Sequence, residues 1–245
     1  MLYYKLNMEA VTFDIQTFKK QLFSVCGGDE LCIDYIANKL ILSSGDDQNM
    51  VCTTFTGGTC MCEIESDTNF CFNVPRKALD LIEHFDDGLV IFTKHDDDTI
   101  NIEIKSELNV LIYTKSSYSY SEPSMYNFIE NNKNTITVNK QYFDKTMMFI
   151  EKNKLETEEI NISFKENNLY INPTKCISIR IEQKTTLDKQ INFKLNFSKL
   201  KEFIKNNGCL SCSDYKLYID NNQPLIFTIK TIYYETSLIM SPFER

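Results

Sequence analysis

Nine cysteines and two histidines are the residues of this 245-residue chain best equipped for metal or nucleophilic chemistry. Cys209-x-x-Cys212 together with Cys60-x-Cys62 offers four thiols, the number a structural zinc takes, but the single-residue spacing of the second pair does not suit the usual knuckle. The other cysteines are Cys26, Cys32, Cys52, Cys71 and Cys176, and several stand in strand-like runs such as Phe70-Cys71-Phe72. Reduced cysteine packs as a small hydrophobe, which is the role expected of them. His84 closes a helical run and His95 sits in an acidic turn with Asp96, Asp97 and Asp98. That turn is expected to be a solvated hairpin, since no second ligand cluster accompanies it. Neither histidine has a serine or cysteine partner in a catalytic motif, and no phosphate-cradling or nucleophile-elbow glycine pattern occurs among the seven glycines. The expectation is a protein with no catalytic residues, no cofactor and no metal.

The basic residues are more informative. The formal net charge is -8, which speaks against nucleic acid if charge is spread evenly. It is not spread evenly. Acidic residues gather in expected turns (Asp46-Asp47, Asp86-Asp87, Asp96 to Asp98, Glu158-Glu159), whereas Lys19, Lys20, Arg76, Lys77, Lys140, Lys145, Lys199, Lys201 and Lys205 fall in four short amphipathic segments.

Those segments share one plan. From Ile191 the chain alternates, with Ile191, Phe193 and Leu195 against Asn192 and Lys194, the period of a strand with one buried face. From Phe197 the period becomes helical, with Phe197, Leu200, Phe203 and Ile204 on one stripe and Ser198 as a first-turn cap. The same unit begins at Phe70: Phe72 aligns with Phe193, Val74 with Leu195, Leu79 with Leu200 and Ile82 with Phe203, and Pro75 suits a helix start. A second pair, Phe13 to Val25 and Val138 to Ile150, aligns Phe18 with Phe143, Lys20 with Lys145 and Leu22 with Met147. The chain is therefore an internal duplication, two strand-helix units per half.

Between these units lie alternating runs and polar turns that read as antiparallel strands, among them two joined at Ala37-Asn38-Lys39 and three from Gly88 to Thr114. The predicted fold class is α+β, with an N-terminal domain over 1–114, a connector over 115–134 rich in Ser, Tyr and Asn, and a C-terminal domain over 135–245. No apolar run reaches membrane-spanning length and Met1 to Glu9 lacks a signal-peptide core, so an intracellular protein without a membrane partner is expected.

Two tandem halves of this plan, and a closing stretch of Asp220-Asn221-Asn222-Gln223-Pro224-Leu225-Ile226 followed by Leu238-Ile239-Met240-Ser241-Pro242, resemble the sliding clamp of the proliferating cell nuclear antigen (PCNA) type. The resemblance runs from about Met8 to Glu244 and marks a divergent member; the Lys and Asn bias suits an AT-rich genome, that of a large DNA virus or a protist. It implies a ring, usually a homotrimer, with antiparallel sheets outside and two short helices of each domain lining a hole around double-stranded DNA. The nine basic residues above would meet phosphates without reading bases. Subunits would pair along Asn109 to Thr114 and Cys176 to Glu182. A DNA polymerase and other clamp-binding peptides would dock at Met50, Met125, Tyr126, Pro224, Ile239, Pro242 and Phe243, and a clamp loader would open the ring. The connector departs from the family pattern, being rich in Tyr and Ser where an acidic and apolar one is usual. The implied role is a processivity factor of DNA replication and repair, in the nucleus or a viral replication compartment. The alternative is a clamp-fold subunit of a checkpoint heterotrimer or a viral transcription factor; a thiol- or zinc-dependent enzyme is the reading from a different class.

Overall fold

A computed structural model describes residues 9–19, 29–36, 38–45, 49–55, 62–65, 69–95, 99–107, 109–115, 134–155, 159–166, 168–182, 191–207, 212–219, 224–231 and 234–241. The chain divides into two compact units, Met1–Tyr120 and Ser121–Arg245. Of the expected connector, only Lys115 and Asn134 are among the described residues.

In the first unit β1 (Glu9–Asp14) runs into a short helix α1 over 15–19. Strands β2 (Glu30–Ile36), β3 (Lys39–Gly45), β4 (Asn49–Phe55), β5 (Cys62–Glu65) and β6 (Phe70–Pro75) follow. Next come α2 (Arg76–Leu79), continued by a 3-10 turn over Asp80–His84, and β7 (Leu89–Lys94), β8 (Thr99–Lys105) and β9 (Val110–Lys115). The second unit comprises β10 (Thr135–Asn139), α3 (Lys140–Lys152), β11 (Glu159–Lys165), β12 (Asn168–Thr174), β13 (Ile177–Glu182), β14 (Ile191–Asn196), α4 (Phe197–Asn207), β15 (Asp214–Tyr218), β16 (Leu225–Lys230) and β17 (Tyr234–Met240).

Strand order repeats the duplication. The first unit contains the orders β1-β7-β8-β9, with β5 on the far side of β1, and β6-β2-β3-β4; the second contains β10-β15-β16-β17 and β14-β11-β12-β13. The pairings within these four sets are antiparallel. Each strand-helix unit thus begins on a strand from one sheet of its domain and drops its helix onto the face that the alternating apolar residues bury. β8 shows that alternation plainly: Ile100, Ile102 and Ile104 are fully buried while Lys105 is exposed.

The aligned positions form equivalent cores. Phe13, Phe18 and Phe92 pack with ring centroids 5.2 to 6.3 Å apart, and Phe72 approaches Phe92. In the second unit Phe143, Tyr215 and Phe227 do the same at 4.9 to 5.7 Å, with Phe203 against Phe227. Each buried ring of this kind stabilises by about 1.5–3 kcal/mol through area alone, plus about 0.5–1.5 kcal/mol per well-oriented pair.

The helix starts are set by the last residue of the preceding strand. Asp14 Oδ1 accepts from the Thr17 amide at 2.9 Å, Asn139 Oδ1 from Tyr142 at 3.3 Å and Asn196 Oδ1 from Lys199 at 3.1 Å. The cap of α4 is therefore Asn196, not Ser198 as the sequence suggests. A cap needs an extended backbone, and Ser198 already lies inside the helix. The fourth start has Pro75 in an extended conformation with no side-chain cap, and the Arg76 amide donates instead to the Asp29 carbonyl at 2.8 Å. That helix keeps only one α turn before tightening to 3-10. Gly88, at φ +106°, presents its carbonyl to the Ile15 amide at 3.0 Å; a Cβ there would collide with the Lys105 carbonyl.

Candidate nucleic-acid interface

The described helices carry eight of the nine expected basic residues, and Lys19, Arg76, Lys140 and Lys201 among them are already committed to partners. In the first unit Lys19 Nζ donates to the Glu83 carbonyl at 2.9 Å and lies 4.0 Å from Asp86. Arg76 is held by two carboxylates, Asp80 at 2.9 Å and Glu83 at 3.0 Å. The Lys19 contact ties α1 to the 3-10 turn after α2, and those of Arg76 brace α2 against the same turn. Lys77 alone of the described basic residues expected here is exposed with no described partner. Lys20 lies outside the described residues.

In the second unit Lys140 Nζ sits 2.6 Å from Asp144 and above the Tyr215 ring, 5.8 Å from its centroid. Tyr215 donates its hydroxyl to the other Asp144 oxygen at 2.8 Å. Burial first, and then this bond to a carboxylate, push the Tyr215 phenol above its ordinary value. Lys201 pairs with Glu151 at 2.9 Å, which fastens α4 to the last turn of α3. Lys199 is half-buried, and its backbone amide is the one capped by Asn196. Lys145 and Lys205 are exposed, with no partner among the described residues. α3 also runs on to Lys152, another exposed cation seven residues after Lys145 and so on the same stripe; the expected helical run, ending at Ile150, left it out.

The arrangement can therefore place a few solvated ammonium groups, Lys77, Lys145, Lys152 and Lys205, on helices where Arg76, Lys140 and Lys201 are paired with neighbouring carboxylates. Ammonium groups on helix faces attract phosphates as point charges and carry no base-reading geometry.

Beside α3 a groove of about 800 Å³ opens against β13, lined by Tyr142, Lys145, Phe149, Ile177, Ile179 and Arg180 among others. Tyr142 is 60% and Phe149 49% exposed. Among the described strands β13 ends its sheet, as β9 ends its own, and β9 exposes Leu111 at 49%. These are the two edges named from the sequence, Cys176 to Glu182 and Asn109 to Thr114.

Of the positions expected to hold a partner peptide, Met50 is half-buried on β4 in the first unit. In the second unit Pro224 is half-buried just before β16 and Ile239 is buried on β17 opposite Ile226. Met125, Tyr126, Pro242 and Phe243 lie outside the described residues, as do Cys60 and Cys209 of the two cysteine pairs weighed against a zinc site. Cys212 is half-buried, and His84 and His95 are exposed. No described helix is long and apolar enough to cross a membrane.

No protein-family model and no curated protein matches the chain. Among solved structures it is similar to the Proliferating Cellular Nuclear Antigen from Entamoeba histolytica, with a TM-score of 0.66 at 15% identity, over 96% of this chain and 99% of that one. The fold is a divergent PCNA-like clamp fold: two tandem domains of antiparallel sheets with a few short helices.

Proposed function

We propose that the chain is a DNA sliding clamp, a non-enzymatic processivity factor that encircles duplex DNA and tethers a polymerase and other replication and repair enzymes, in the nucleus or a viral replication compartment. The observation that carries this reading is a clamp fold spanning 96% of the chain whose helices hold exposed Lys77, Lys145 and Lys205. A sliding protein needs weak attraction to phosphate without sequence readout, and a few solvated lysines among neutralised ones supply that.

Ring closure would join β9 of one copy to β13 of the next. Among the described strands both end their sheets, and Leu111 together with the apolar side of the α3–β13 groove offers the surface such a contact would cover. An apolar edge of this kind is a hazard unless paired. Met50, Met125, Tyr126, Pro224, Ile239, Pro242 and Phe243 are the positions we assign to partner peptides, by resemblance to the family.

Size exclusion with light scattering over a range of concentrations, combined with duplex-DNA binding, tests the reading. The expected result is a mass near three subunits, independent of concentration, and salt-sensitive binding indifferent to sequence. A persistent monomer that binds no duplex would overturn it; a monomer that assembles only with different clamp-fold chains would favour the heterotrimer subunit instead.

A further inference from the structure

Cys32 and Asp34 on β2 and Cys71 on β6 come together on one face of the first unit's β6-β2-β3-β4 set. The ladder places Cys71 directly across from Asp34, with Cys32 two residues back along β2 and so on the same side of the pleat. The two Sγ atoms are 3.7 Å apart, Cys32 Sγ lies 3.4 and 3.5 Å from the Asp34 carboxylate oxygens, and the three ligand atoms fall within 4.8 Å of one another.

These separations are the edges of a coordination tetrahedron. An ion with metal–sulfur bonds of about 2.3 Å and a metal–oxygen bond of about 2.0 Å, at tetrahedral angles, sets its sulfurs about 3.8 Å apart and its sulfur–oxygen edges at about 3.5 Å. The edges from Cys32 to Cys71 and to Asp34 are therefore already at the distances an ion demands, and the third edge lies within 4.8 Å. A second observation points the same way: Asp34 is only 7% exposed, and among the described residues its partners are the two thiols, with no lysine or arginine beside it. A carboxylate buried without a cation is costly, and a bound ion would remove that cost.

We propose that Cys32, Cys71 and Asp34 bind a thiophilic divalent cation of the Zn2+ class, with a solvent molecule completing the tetrahedron. Cys32 and Cys71 are half-buried rather than sealed, so the fourth position is reachable from water. Binding releases the two thiol protons as the thiolates take up the ion. The site staples β6 to β2 just upstream of Pro75 and Arg76, and so fixes the entry to α2, the one helix of the four whose preceding residue provides no side-chain cap.

Co2+ alone, titrated into the chelator-treated full chain under a phosphine reductant, is the probe. The expected result is one equivalent bound, with tetrahedral d–d bands and a thiolate-to-cobalt charge-transfer band, displaced by Zn2+. Cys209→Ser with Cys212→Ser should leave the spectrum unchanged, Cys32→Ser with Cys71→Ser should abolish the charge-transfer band, and Asp34→Asn should lower affinity at least about tenfold. Absence of the band in the unaltered protein overturns the proposal, as does a band that survives loss of Cys32 and Cys71, because other cysteines would then hold the ion. If the double serine variant does not fold by circular dichroism, Asp34→Asn decides: unchanged affinity refutes the site.

Discussion

Lys77, Lys145 and Lys205, three of the four solvated lysines, should carry much of the attraction to DNA, and the paired cations should contribute little. Each lysine that displaces a counterion from a phosphate steepens the fall of log affinity with log salt by about 0.9, so three such contacts contribute about 2.7 to the slope. Between about 50 and 200 mM salt that difference amounts to about 40-fold in affinity. Replacing all three by glutamine should flatten the slope by about that amount per chain. Arg76 and Lys201 behave differently, because each sits about 3 Å from a carboxylate. Turning either toward a phosphate frees an acid that collects a counterion of its own, so the net release is close to zero. Arg76→Gln with Lys201→Gln should leave the slope within about 0.5 of the unaltered protein. Fluorescence anisotropy with a labelled duplex, repeated across the salt series, reads both slopes. Equal flattening by the two sets would refute the argument from pairing, and no flattening by the triple variant would remove these helices from the interface.

Three further outcomes follow from the same contacts. Asn139→Ala should cost about 1 kcal/mol in urea unfolding, because it strips the side-chain cap from the Tyr142 amide, while Ser198→Ala should be near neutral since Asn196 caps that helix. Tyr215→Phe concerns alkaline stability: the folded phenol titrates above the unfolded one, so below about pH 10 its proton is held in both states, and as pH rises past that value only the unfolded chain releases it. Stability of the unaltered protein should therefore fall by up to about 1.4 kcal/mol per pH unit relative to the phenylalanine variant, and parallel curves above pH 10 would contradict the shift. Leu111→Asp on the β9 edge should lower the mass measured by light scattering to that of a single chain without altering the circular dichroism spectrum; an unchanged oligomer would place the subunit contact elsewhere.

Much of the fold was legible because its signals are local. The switch from a two-residue to a helical period at Phe197, and the alignment of Phe18 with Phe143 and Phe72 with Phe193, depend only on which residues a strand or helix must bury, and those four rings are buried in the structure. The hairpin at Asn38 and the order of the strands after Gly88 are local in the same way. The helix caps were not legible in this way: the sequence suggests Ser198, whereas the last strand residues Asp14, Asn139 and Asn196 cap their helices, and Pro75 stands where Asn196 has its capping side chain.

What the sequence by itself determined, then, is the duplicated plan and the set of helices that carry the cations. Which of those cations remain solvated was decided by tertiary structure, since Lys201 meets Glu151 and Lys19 meets the Glu83 carbonyl only once different helices are packed side by side. The same holds for Cys71. In the run Phe70-Cys71-Phe72 it reads as one more small apolar residue, and only the antiparallel register of β2 with β6 sets its sulfur beside Cys32 and a buried carboxylate from another part of the chain. Periodicity reports which face a residue occupies; the partner across the ladder is fixed by register, which depends on the packing of the whole sheet.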